Sequence, residues 1–133
     1  WSSDVCSSDL ANKFSLKERI RSFNNALNGF RSVLYTQHNF LIHILLGVIA
    51  ILMGIILEIS LMEWIAIVIV ISVVLSAEIF NTAIELLVDY ISMEKNDVAR
   101  DIKDISAAAV LLISMGALVT GLVIFIPKLI PLL

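Results

Sequence analysis

The chain has 133 residues, enough for one domain, and 59% of them are apolar. A soluble domain is nearer to about 45–50% apolar, so a mean hydropathy of +0.99 points to residence in a membrane. The net charge of −3 gives no case for a nucleic-acid partner, and a single cysteine, Cys6, excludes an intrachain disulfide.

Residues 1–10 repeat Ser-Ser-Asp and lack both an initiator Met and the apolar core of a signal peptide. They read as a non-native leader and are set aside. Residues 11–38 read as an amphipathic interfacial helix. Ser15 and Glu18 fit a capping box, and Leu16, Ile20, Phe23, Leu27, Phe30 and Leu34 follow at helical spacing. Lys17, Arg19, Arg21, Asn24, Asn25, Asn28 and Arg31 occupy the other face or its margins. Such a helix lies on an anionic leaflet, or packs on a protein core. The apolar runs that follow favour the leaflet.

Residues 39–133 read as a three-helix transmembrane domain. The runs are about Phe40 to Leu57, Leu61 to Ile91, and Ile105 to Ile126, where Pro127 stops the last. About 18–22 helical residues span the hydrocarbon layer, so the second run is too long. Its polar end is expected to emerge from lipid or to be shielded by neighbouring helices. Trp64 fits an aromatic belt. The expected fold is an all-α membrane protein, a surface helix followed by three transmembrane helices. Small residues at the start of the third span (Ser106, Ala107, Ala108, Ala109) read as a packing signal without chemistry. Lys13, Lys17, Arg19, Arg21 and Arg31 precede the first span, Lys95, Arg100 and Lys103 lie between the second and third, and the link around Glu58 to Glu63 has neither Lys nor Arg. By the positive-inside rule the N-terminus and second link face the cytoplasm. The first link faces outside, as does the C-terminus despite Lys128.

The second run carries Glu78, Asn81, Glu85 and Asp89 at spacings of 3, 4 and 4. On a helix they share an arc of roughly 80°. Acids at a helix centre in lipid cost about 2.5–3.5 kcal/mol each on insertion scales, so a cation, a metal ion or a water-filled site is expected to compensate them. A hairpin across Ser92 to Asp104 would bring Lys103 and Asp104 back near Glu85 and Asp89. Acids, an amide and a lysine at a membrane–water boundary are the parts phosphoryl transfer needs. They equally suit an ion-pair network in which Lys103 neutralises the acids, and spacing alone does not separate the two. His38 and His43 read as hydrogen-bonding groups near the start of the first span. Neither a cysteine nor a third histidine accompanies them to make a zinc site.

The segment Ala77-Glu78-Ile79-Phe80-Asn81-Thr82-Ala83-Ile84-Glu85-Leu86-Leu87-Val88-Asp89, followed by Lys103-Asp104-Ile105-Ser106-Ala107-Ala108-Ala109-Val110, resembles the prokaryotic diacylglycerol kinase family, which includes undecaprenol kinases. Arg21-Ser22-Phe23, Gly29-Phe30 and His38-Asn39-Phe40 resemble its N-terminal part, and the likeness runs from about Ser15 to Pro127. The resemblance implies a homotrimeric lipid kinase of the bacterial inner membrane. It would transfer the γ-phosphate of MgATP to the hydroxyl of diacylglycerol or undecaprenol at the cytoplasmic interface. By matching position Glu78 is implied as general base, Asn81 as an active-site contact and Glu85 as a metal ligand. Lys103 would hold phosphate, and Asp89 and Asp104 would complete the nucleotide and metal site. Arg21 is a secondary candidate for the ATP phosphates, beside an anchoring role shared with Arg19. Glu78 lies deepest in apolar sequence, where a desolvated carboxylate is a stronger base. One departure stands out: where the family often has a second acidic metal ligand, this chain has Gln37, a neutral oxygen donor. No GxxxxGK[ST] loop and no HRD or DFG signature is present. The competing reading is a non-enzymatic membrane protein whose intramembrane carboxylates relay protons or cations.

Overall fold

The computed structural model describes residues 15–92 and 96–132. The expected leader, residues 1–10, lies outside them. Four helices follow in order: α1 (Leu16–Thr36), α2 (His38–Ile56), α3 (Leu61–Ile91) and α4 (Asp97–Leu129), then a 3-10 turn at Ile130–Leu132. No strand occurs among the described residues. The chain divides into two units, Trp1–Ser32 and Val33–Leu133.

In the first unit, α1 starts where the sequence signals it. The Ser15 hydroxyl accepts the Glu18 N–H at 3.4 Å, filling one donor that the first helical turn leaves open. Its apolar stripe of Leu16, Ile20, Phe23 and Leu27 is exposed.

In the second unit, α2, α3 and α4 are each long and apolar enough to cross a membrane. Most of their large apolar side chains face outward, Leu61 at 75% and Leu112 at 72% exposure among them. Such a surface suits contact with lipid or with neighbouring membrane helices. At about 1.5 Å per residue, the 31 residues of α3 reach well past a hydrocarbon layer of about 30 Å.

α3 packs chiefly on α4 and next on α2. Its start is fixed by a capping box that the sequence reading passed over. The Glu63 carboxylate accepts the Ser60 N–H at 2.6 Å, and the Ser60 hydroxyl accepts the Glu63 N–H at 3.4 Å. Lys128, from the end of α4, reaches the same carboxylate at 3.2 Å. Beside this pair lies a small core of Ile59, Ile67, Ile124 and Phe125, with Trp64 packed against it.

The turn between α2 and α3 follows from its hydrogen bonds. Ile59 N–H reaches back to the Gly54 carbonyl at 3.1 Å and Glu58 N–H to that of Ile55 at 3.4 Å. This is the Schellman pattern, which places the residue after the cap in the left-handed region. That residue is Glu58, with φ of 48°. Gly54 is required for the close approach: a β-carbon there would lie 2.9 Å from both Ile59 Cδ1 and the Trp64 ring.

α4 departs from the expected third span at both ends. It begins at Asp97, capped by the Asn96 side-chain oxygen accepting the Ala99 N–H at 2.7 Å. Lys103 and Asp104, expected in a link, are therefore helical. Pro127 does not stop the helix, which runs to Leu129. One missing N–H close to a helix end forfeits a single bond, and membrane helices tolerate proline.

Candidate active site

The acid stripe on α3 becomes progressively more exposed along the helix. Glu78 is 3% and Asn81 8% exposed. Glu85 is half-buried and Asp89 exposed. The expectation that this end is shielded by neighbouring helices holds for the first two. Thr82 beside them is also buried, its hydroxyl donating to the Glu78 carbonyl at 2.9 Å.

Each polar group meets different company. Asn81 donates from Nδ2 to Glu85 Oε1 at 2.8 Å, one turn along the same helix. On the facing helix α4, the Ser106 hydroxyl lies 2.6 Å from Asn81 Oδ1 and 2.9 Å from the Lys103 carbonyl. Lys103 Nζ sits 2.5 Å from Asp89 Oδ1, joining α4 to α3 across the hairpin as its spacing suggested. The Glu78 carboxylate makes no hydrogen bond or ion pair among the described residues. The charges acting on it are those of His43 and Glu85.

A carboxylate at 3% exposure with no bonded partner is costly. The other acids of α3 are each provided for: Glu63 by Ser60 and Lys128, Glu85 by Asn81, Asp89 by Lys103. Glu78 alone among these has a carboxylate with no bonded partner among the described residues.

An apolar cavity of about 410 Å³ opens between α2, α3 and α4 and comes within one turn of Glu78 at Val74. Gly47, Ala117 and Gly121 line it, and His43 and Ser114 are its polar members. The Ser114 hydroxyl is buried without a hydrogen-bond partner among the described residues.

The other sequence candidates are placed as follows. Gln37 is the half-buried residue preceding α2 and makes no side-chain capping bond, so its amide is uncommitted to the helix. Asp104 is exposed on α4 and makes no ion pair among the described residues. Arg21 is exposed on α1 in the first unit. No group of three or more His, Cys, Asp or Glu side chains able to hold a metal occurs among the described residues. Two participants escaped the sequence reading. Ser106 reads in the sequence as a packing residue because a small side chain in a membrane helix carries that meaning by default. His43 reads in the sequence as a hydrogen-bonding group near the start of the first span, and only the fold brings it near Glu78.

The prokaryotic diacylglycerol kinase family matches residues 24–125, well over half of the chain and all of the α3 and α4 site. The chain belongs to this family. Among curated relatives, an undecaprenol kinase of Bacillus subtilis is 34% identical over 114 residues, covering 86% of this chain and 93% of that protein. A diacylglycerol kinase of Synechocystis sp. is 31% identical over 113 residues, covering 84% of this chain and 65% of that protein. The three spans and the family together make the chain an integral membrane protein and a lipid kinase, an enzyme that phosphorylates a lipid alcohol.

Proposed function

We propose that this kinase transfers the γ-phosphate of MgATP to the hydroxyl of diacylglycerol or undecaprenol, with Glu78 as general base. The supporting observation is the buried Glu78 carboxylate, without a bonded partner among the described residues and one helical turn from Val74, where an apolar groove begins. The groove takes hydrocarbon from the lipid side, and the polar stripe continues from Glu78 toward water. A lipid hydroxyl presented at Glu78 loses its proton to the carboxylate as its oxygen bonds the γ-phosphorus. The bond from that phosphorus to the β–γ bridging oxygen breaks, and ADP leaves.

Lys103 holds phosphate oxygens in this scheme, exchanging its contact with Asp89 for the nucleotide, while Asp89 and Asp104 border the nucleotide. Arg21 is a further candidate for the ATP phosphates. Glu85 holds the cation, and Gln37 contributes a neutral oxygen. Mg²⁺ is commonly bound by one or two carboxylates, with phosphate oxygens and waters completing the shell, so this donor set fits it without a three-acid cluster. When bound, the ion neutralises charge on the phosphate oxygens. Asn81 keeps the Glu85 carboxylate oriented.

The enzyme works as a homotrimer in the bacterial inner membrane, with the N-terminus and active site cytoplasmic and the C-terminus outside. The interfacial segment is assigned to residues 11–38, with α1 (Leu16–Thr36) as its helix, and the transmembrane kinase domain to 39–133. Incubating purified protein in micelles with radiolabelled ATP, Mg²⁺ and each lipid alcohol tests the scheme. Labelled phospholipid is expected from one or both, and comparing turnover on the two selects the substrate. Ion flux through vesicles, with no phosphorylation of any lipid alcohol, would instead establish a charge pathway.

A further inference from the structure

The side-chain amide of Asn81 has two faces, and only one of them suits Glu85. An N–H toward an ionised carboxylate is a charge-assisted hydrogen bond. The carbonyl oxygen in the same place would repel it. Rotating the amide by half a turn exchanges the two at almost no steric cost, so something must choose between them. Asn81 is 8% exposed, and water has little access to do so.

We propose that Ser106 is a positioning residue: its hydroxyl donates to Asn81 Oδ1, locks the amide with its NH₂ toward Glu85, and thereby aims the Glu85 carboxylate. Both bonds are in place, at 2.6 Å and 2.8 Å. Ser106 is itself 8% exposed, so its bond is sheltered from competing water. Its single proton has two acceptors in reach, Asn81 Oδ1 and the Lys103 carbonyl at 2.9 Å. Given to Lys103, it would leave two oxygens facing one another at 2.6 Å, and the amide would turn its oxygen onto Glu85. The ionised carboxylate therefore keeps the proton on Asn81. The third span acts on the second through this bond, one turn from where Lys103 meets Asp89. The inference rests on the assignment of Glu85 to the divalent cation, and its test separates the two.

The first readout needs neither metal nor activity. In metal-free protein the ¹H–¹⁵N resonances of the Asn81 side chain are expected to move toward those of a free amide in Ser106→Ala, and to stay in place in Ser106→Thr, which keeps the hydroxyl. Unchanged resonances in Ser106→Ala overturn the proposal. The second readout is Mn²⁺ affinity, followed by paramagnetic resonance. Unlocking the amide weakens its charge-assisted bond to Glu85, which predicts about tenfold weaker binding in Ser106→Ala, with Ser106→Thr within about twofold. In Asn81→Ala the further Ser106→Ala change is expected to have no effect, because the pair then has nothing to couple. An equal loss in both backgrounds overturns the proposal in favour of a general packing role. If Glu85→Gln leaves Mn²⁺ binding intact, the metal assignment falls, and the amide resonances still decide the role of Ser106.

Discussion

Glu63 and Glu78 stand on the same helix, roughly 22 Å apart along its axis, and the protein treats them oppositely. Glu63 closes a capping box with Ser60 and meets Lys128, next to a small core of Ile59, Ile67, Ile124 and Phe125. Glu78 is more deeply buried than Glu63 and has no bonded partner. Satisfied polar groups at one end tie α3 to α4. An unsatisfied carboxylate at the other costs stability, and its retention there fits the proposal that Glu78 is the general base.

The sharpest way to break this contrast is to neutralise both acids in turn. Glu78→Gln is expected to lower lipid phosphorylation by about 10²–10⁴-fold, the range for losing a general base, with helicity unchanged. Glu63→Gln should leave turnover within about twofold and lower the thermal midpoint, because it weakens the cap and the Lys128 contact together. Equal catalytic losses from the two substitutions would erase the distinction between the ends.

A second comparison sets the two lysines of α4 against each other. Lys103 and Lys128 each bond one acid of α3, at opposite ends. Lys103→Met is expected to raise the KM for ATP about tenfold, the scale of one charge-assisted contact to phosphate. Lys128→Met should leave that KM unchanged. A Lys103→Met enzyme with normal KM and reduced thermal stability would show that Lys103 serves only its ion pair with Asp89.

The far end can also be broken sterically. Gly54→Ala places a methyl 2.9 Å from Ile59 Cδ1 and the Trp64 ring. Overpacking of this kind costs about 1–3 kcal/mol, of which helix propensity restores up to about 1 kcal/mol. Denaturant unfolding in micelles is expected to show the net loss, with turnover per folded molecule preserved.

The reading of the sequence succeeded where one signal governs. The spacing of Glu78, Asn81, Glu85 and Asp89 marks a helix face, and the charge on Lys103 pairs with Asp89 across the hairpin as expected. The bounds of α3 agree with its apolar run, Leu61–Ile91. Reading failed where hydropathy is silent. The first turns of α4, from Asp97, are polar, and only the Asn96 cap announces them. Ser60-Leu61-Met62-Glu63 is a capping signature in plain sight, obscured because the segment around Glu58 to Glu63 reads as a link. Ser106 could not be singled out because its partner lies 25 residues away. A hydroxyl's role is set by what faces it, and no local pattern supplies that.

The smallest effect concerns the turn that joins α2 to α3. Glu58 holds φ at 48°, a conformation costing a residue with a β-carbon roughly 1–2 kcal/mol. Glycine adopts it freely but loses more chain entropy on folding, about 0.5–1 kcal/mol. Glu58→Gly should therefore stabilise the protein by up to about 1 kcal/mol and leave turnover untouched. Glu58→Ala separates backbone from charge, since alanine keeps the β-carbon and discards the carboxylate. If the two variants gain equally in denaturant unfolding, loss of the carboxylate explains the gain. If only glycine gains, the left-handed turn explains it, and that end of the molecule carries strain in its backbone while the other carries it in Glu78.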